Sequence, residues 1–202
     1  SLINLKLYYS TLSMAEITEH FGHMVCPIDF PIADDQTSIE MHGIEFKIMH
    51  TPGHSTAHIC LFTPDDVAYI GDALISHDVM TGAKMPYASI LSEDLKSKKK
   101  LYGLKYSKYV IAHKGIYEDI NDLITDNINF YQLRAEKICE LIVKPMTLQE
   151  LMQKVIASFN IHVVTVYKYN LIEKMLRSYL EYLDEQQRIK LVMIDGLLKY
   201  AK

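Results

Sequence analysis

Apolar and polar positions alternate from Ser38 to Met41 and again from Ile44 to Ile48, with His42-Gly43 between them. That pattern predicts a β-hairpin closed by a two-residue turn. Two short apolar runs, Ile59–Phe62 and Val67–Ile70, flank Pro64-Asp65-Asp66 and predict a second strand pair, followed directly by Gly71-Asp72. Leu5–Tyr9 is β-prone, and Tyr109–Ala112 reads as a short buried strand running into His113-Lys114-Gly115. Helical spacing marks Ala15 to about Phe21, with Ser13 as its cap and Gly22 as its end, and then the lysine-rich stretch Ser92–Leu104. Pro27–Pro31 reads as a loop. A long helical pattern runs from Asn121 to about Val143 and stops at Pro145.

The texture changes after Pro145. Thr147-Leu148-Gln149-Glu150 is a capping box that opens a helix to about Phe159. A second helix is predicted from Val166 to about Leu183, with apolar positions at Leu171, Ile172, Met175, Leu176, Tyr179 and Leu180. Ile189–Ile194, the turn Asp195-Gly196 and Leu197–Tyr200 then read as a hairpin. Helices followed by a hairpin is the element order of a winged helix-turn-helix. The chain is therefore expected to be α+β, with one domain over residues 1–143 and a small winged-helix domain over 144–202.

Composition narrows the class. At 202 residues, 49% hydrophobic and 23% charged, the chain has the make-up of an ordinary globular protein. Its net charge of −4 gives no general reason to expect a nucleic-acid partner. Residues 134–202 carry 11 basic and 8 acidic side chains against 10 and 17 in the remainder, an asymmetry that fits two domains with different surfaces. No stretch reaches the roughly 18–20 apolar residues of a membrane span, and no signal peptide is visible, so no membrane partner is expected. Cys26, Cys60 and Cys139 are widely spaced and lack a C-x-x-C pair, which suggests free thiols in a reducing cytoplasm.

Three segments each place a metal-capable side chain at the end of a strand or in a tight loop. They are Thr51-Pro52-Gly53-His54-Ser55-Thr56-Ala57-His58, Tyr69-Ile70-Gly71-Asp72 and Val110-Ile111-Ala112-His113-Lys114-Gly115. The glycines let the backbone pass close to a neighbour, and the rigid loops aim the side chains. Two histidines and a carboxylate suit zinc or a similar borderline metal, and a carboxylate can bridge two ions. Such a pair activates water and stabilises charge developing on an attacked ester, thioester or phosphodiester.

The run from Thr51 to His58, followed by Ile59–Phe62 and Ala68–Asp72, resembles the second half of the metallo-β-lactamase superfamily, and most of all its glyoxalase II-like branch. The resemblance covers about residues 5–143 and implies an αββα sandwich, here a partial one. It implies metal ligation by His54, Asp72 as the bridging carboxylate, and His113. Zinc is the expected ion, with iron or manganese possible, and two metals are expected in the complete protein. His58 is implied to support the loop rather than to bind metal. In that fold the loop Ser76–Gly82 borders the active site, which makes His77 and Asp78 candidates for substrate contact. The tail from about Val143 resembles winged-helix domains appended to some members, including RNA-acting ones.

The family's first ligand motif, H-x-H-x-D-H, is absent, and with it the residue that positions the attacking water. His20-Phe21-Gly22-His23 is an H-x-x-H without the aspartate, at an expected helix end, and reads as a surface feature. The missing half would remove most of one sheet and leave an apolar face open, so a fragment, a complementing N-terminal segment or a homo-oligomer is expected. The resulting expectation is a metal-dependent hydrolase acting on a small-molecule thioester or ester, or on RNA, through metal-bound hydroxide, and inactive as this chain alone. The catalytic residue itself is not identified. The alternative is a non-catalytic winged-helix module for nucleic-acid or protein interaction. Lys96, Lys98, Lys99 and Lys100 read as a solvated cationic face. Lys168, Lys174 and Arg177 would serve groove binding, although the interrupting Glu173 and Glu181 favour a helix that walls a cleft or dimerises.

Overall fold

A computed structural model describes residues 12–25 and 30–202. The strand expected at Leu5–Tyr9 lies outside the described residues, as does most of the loop expected at Pro27–Pro31. Helix α1 spans Met14–Phe21, and Ser13 and Glu16 close a capping box at its start. Gly22 does not end the helix in a left-handed turn: its φ is −57°, and the chain tightens into a 3₁₀ turn over Gly22–Met24.

Six strands form one sheet in sequential order: β1 Ser38–Met41, β2 Ile44–His50, β3 Ile59–Phe62, β4 Val67–Gly71, β5 Lys108–Ile111 and β6 Ile116–Tyr117. All neighbours are antiparallel except β4 and β5, which run parallel. The parallel pair needs a crossover, supplied by α2 (His77–Gly82) and α3 (Leu91–Lys100). Both residues of the β1–β2 turn, His42 and Gly43, have positive φ, the twist that suits a two-residue hairpin.

The alternation of the strands sorts the sheet into two faces. Cys60, Phe62, Ala68, Ile70, Tyr109 and Ile111 join a buried core with Leu91 and Leu95 of α3 and with Leu123 and Ile124 of α4 (Asn121–Leu141). On the opposite face, Leu61, Tyr69, Val110 and Ile116 lie in register across β3 to β6. Tyr69 is 47% exposed and Ile116 71% exposed, so this apolar row is largely open to solvent.

The C-terminal elements match the expected order: α5 Leu148–Ser158, α6 Val166–Glu185, and a hairpin of β7 Lys190–Ile194 with β8 Leu197–Ala201. The core continues without a break past residue 143, taking in Leu151 and Val155 of α5 and Met175, Leu176 and Tyr179 of α6. Helix α6 packs on α3 and α4. The Tyr179 hydroxyl donates to the Pro86 carbonyl at 3.1 Å, and the Ser178 hydroxyl accepts the Leu91 N–H at 2.9 Å. That second bond satisfies an amide at the start of α3, whose N-cap, Ile90, has no side chain able to do so.

Candidate metal centre

Asp72 follows β4, which ends at Gly71. An added Cβ at Gly71 would lie 3.0 Å from His58 Nε2, so the glycine lets the strand end pass close beneath that ring. The His58 ring spans two parts of the site. Its Nε2 accepts the Asp72 N–H at 3.1 Å and its Nδ1 lies 2.8 Å from the Thr51 hydroxyl. Because Nε2 accepts, the neutral ring carries its proton on Nδ1 and donates it to Thr51. His58 therefore fastens the His54 loop to the strand end that carries Asp72.

His54 sits in a loop fixed against α3. Gly53, at φ +138°, touches the helix so closely that a Cβ there would fall 2.1 Å from Asp94 Cα. The Gly53 carbonyl accepts the N–H groups of Ser89 and Ile90, and the Ser97 hydroxyl donates to the Pro52 carbonyl at 2.7 Å. The Tyr87 ring meets the His54 ring edge-on, with centroids 5.0 Å apart.

His113 lies just beyond β5 in a left-handed conformation at φ +57°, and Lys114 follows at φ +81°. Two consecutive non-glycine residues with positive φ are costly, about 1–3 kcal/mol each. They are held by Ala112 N–H bonding to the Gly71 carbonyl and Ile111 N–H to that of Gly115. The Ser76 hydroxyl donates to the His113 carbonyl at 3.4 Å.

The three side chains meet around Asp72. His54 Nε2 lies 3.8 Å from Asp72 Oδ2, and His113 Nε2 lies 3.4 Å from Asp72 Oδ1. Each carboxylate oxygen thus faces a different imidazole. A tetrahedral ion with bonds of about 2.0–2.1 Å holds its N and O donors about 3.3 Å apart, close to the His113 separation and shorter than that of His54. Burial lowers the basicity of His54, as it does that of His58, more than the neighbouring Asp72 charge raises it. The neutral imidazole, the form that ligates, is therefore favoured. Among the described residues no three His, Cys, Asp or Glu side chains converge on one point. The donors are strung out instead, with Asp72 in the middle.

His77 and Asp78 are brought to the first turn of α2, where both are exposed. His77 Nε2 lies 2.9 Å from Asp126 Oδ2 on α4, and its ring is edge-on to Tyr117. His20 stacks on Tyr167 of α6, with centroids 6.0 Å apart.

Lys98 is not part of a solvated face: it is fully buried, donates to Asp94, and lies 4.5 Å from the centre of the Tyr131 ring. Burial pushes the Asp94 carboxyl up and the Lys98 ammonium down in pKa, and each partner's charge opposes the other's shift. Lys174, on the helix expected to wall a cleft or dimerise rather than read a groove, donates from its Nζ to the Tyr87 hydroxyl at 2.6 Å. Tyr87, which links α6 to His54, was not singled out from the sequence. Nothing in its local pattern marks it.

A chain with this sheet and these loops belongs to the metallo-beta-lactamase superfamily, whose family model matches residues 7–113. Among proteins similar to it, a Beta-lactamase-like protein 2 homolog of Drosophila melanogaster is 25% identical over 114 residues, which cover 56% of this chain and 37% of that protein. An Atrochrysone carboxyl ACP thioesterase of Aspergillus fumigatus is 24% identical over 118 residues, 58% of this chain and 26% of that one. The fold is similar to a metallo-beta-lactamase family protein from Thermus thermophilus (TM-score 0.68, 21% identity, 98% of this chain and 62% of that one). It is also similar to a beta-lactamase domain protein from Burkholderia ambifaria (TM-score 0.70, 13% identity, 97% and 60%). The chain thus spans 26–37% of the length of these curated relatives and about three fifths of these solved structures. Among the described residues no helix is long and apolar enough to cross a membrane.

Proposed function

We propose that this chain carries one side of a dinuclear metal site that hydrolyses an ester-like bond, with His54 and His113 each serving one ion and Asp72 bridging them. The observation that carries this reading is the disposition of Asp72, whose two oxygens face the two imidazoles separately. Zinc fits the donor set, and iron or manganese would also fit. Bound there, the ions would activate water and stabilise charge developing on the attacked group. The chain's own part is to present two neutral imidazoles and one carboxylate, with His58 and the α3 contacts holding the loop that bears them.

Among the described residues each ion would receive one histidine and one shared carboxylate oxygen. Catalytic zinc usually takes three protein ligands, more than the described residues bring to either ion, and we assign the remaining ligands to a second copy or a complementing segment. The open row Leu61, Tyr69, Val110 and Ile116 supports association through the face away from the helices. Within the ester-like class, the name of the Aspergillus relative favours a thioester.

The C-terminal winged-helix-like unit is read as a wall of the substrate cleft rather than a reader of nucleic acid. Lys174 reaches Tyr87 beside His54, and Arg177 is paired with Glu173 at 2.7 Å. His77 and Asp78 stay as candidates for substrate contact at the rim. An assay panel tests the need for further ligands directly. The isolated chain with added zinc should show no hydrolysis of S-lactoylglutathione or RNA above background, and zinc-dependent turnover by this chain alone would contradict it.

A further inference from the structure

We infer that the buried Asp94–Lys98 pair of α3 positions His54, a role that rests on the reading of His54 as a metal ligand. Asp94 is 2% exposed and Lys98 is wholly buried. Removing two charges from water is costly, and well-packed apolar residues in such a place are often as stable or more so. Stability therefore does not explain the pair. Its surroundings do, because the backbone against Asp94 and the ring beneath Lys98 both lead to the His54 loop.

The His54 backbone N–H acts on the Asp94 carboxyl and holds its pKa down against burial, and the residues just before it are bonded to the same helix: the Gly53 carbonyl accepts the N–H groups of Ser89 and Ile90, and the Pro52 carbonyl accepts the Ser97 hydroxyl. The fit leaves no slack, since Gly53 has room for no side chain against Asp94. Lys98 holds the carboxylate from the core side and lies over the Tyr131 ring. The Tyr131 hydroxyl donates to the Tyr87 carbonyl at 3.0 Å, and the Tyr87 ring stands edge-on to His54. The pair thus supports the histidine along two routes, one through the loop backbone packed on Asp94 and one to its ring. The geometry is that of an outer shell around a ligand, where loss of a partner typically weakens metal affinity 10- to 100-fold.

The test compares the wild-type chain with the double variant D94L/K98M, which removes both charges while keeping similar volume. Two readouts are taken: Co²⁺ affinity by titration of its visible absorption, and the amide and imidazole ¹⁵N resonances of His54 in the metal-free chain. The expected result is a folded variant whose Co²⁺ affinity falls at least about tenfold, with the His54 signals shifted and broadened. Affinity within twofold of wild type, with unchanged His54 signals, would overturn the inference. If the wild-type chain itself bound no Co²⁺, the metal reading would fail separately and the His54 resonances alone would decide the positioning role. If D94L/K98M did not fold, D94E takes its place. It keeps the ion pair but displaces the carboxylate by one methylene, and unchanged affinity and His54 resonances in that variant would overturn the inference equally.

Discussion

At the scale of single residues, His58 makes two hydrogen bonds and holds no metal in this account. Replacing it with Phe strands the Asp72 N–H and removes the tie to Thr51. The expected cost is about 1–3 kcal/mol of stability, read from urea unfolding, together with weaker metal binding. His54 and His58 also give a pH dependence. Burial pulls both below the usual value of about 6.5, so the folded state resists protonation and the unfolded chain takes up protons first. Their contribution to stability is therefore fully present above pH 6.5 and is lost as pH falls through the lower folded values. The urea midpoint of the metal-free chain should drop between pH 7.5 and 5.5, and by less in H58F; an equal drop in both would remove His58 from the account. The three proposed ligands were legible because each stands after a strand or in a Pro-Gly loop. Lys98 was misread because four lysines within five positions of one helix cannot share a single face. Leu91, Asp94, Leu95 and Lys98 form the buried stripe, and the spacing of the two leucines already pointed to it.

At the scale of elements, the periodicities located every strand and helix that was expected within the described residues, with boundaries shifted by a residue or a few at most. Contacts between distant elements were not legible, because local pattern carries no partner information. The junction of α6 with the start of α3 is the clearest case, joining residues 87 positions apart. Ser178→Ala should leave the buried Leu91 N–H without a partner and cost about 1–3 kcal/mol, measured by denaturant midpoint. An unchanged midpoint would mean that water or another group satisfies that amide. The same junction explains why Lys174 is turned toward Tyr87: the helix that a groove reader would expose is here packed on the sheet domain. Salt-dependent binding of labelled duplex by the chain would count against that arrangement.

At the scale of the molecule, one sheet carries helices on one face and an apolar row on the other. The expectation of a partial sandwich came from the absent H-x-H-x-D-H motif, and the open row is its physical counterpart. Sedimentation over a range of concentrations should show self-association or retention of a complementing segment, diminished in the double variant Y69E/I116E. A monomer at all concentrations for both proteins would remove the face from consideration. The site itself sits where strand ends and loops converge beside α6, and its central element is one carboxylate between two imidazoles. The most direct test is the metal content of the purified chain by elemental mass spectrometry after equilibration with zinc, against the same measurement on Asp72→Asn. The account predicts bound zinc in the wild-type chain and a large loss in the variant, because both ions share that carboxylate. Equal metal content in the two proteins, or none in a folded wild-type chain, would contradict it.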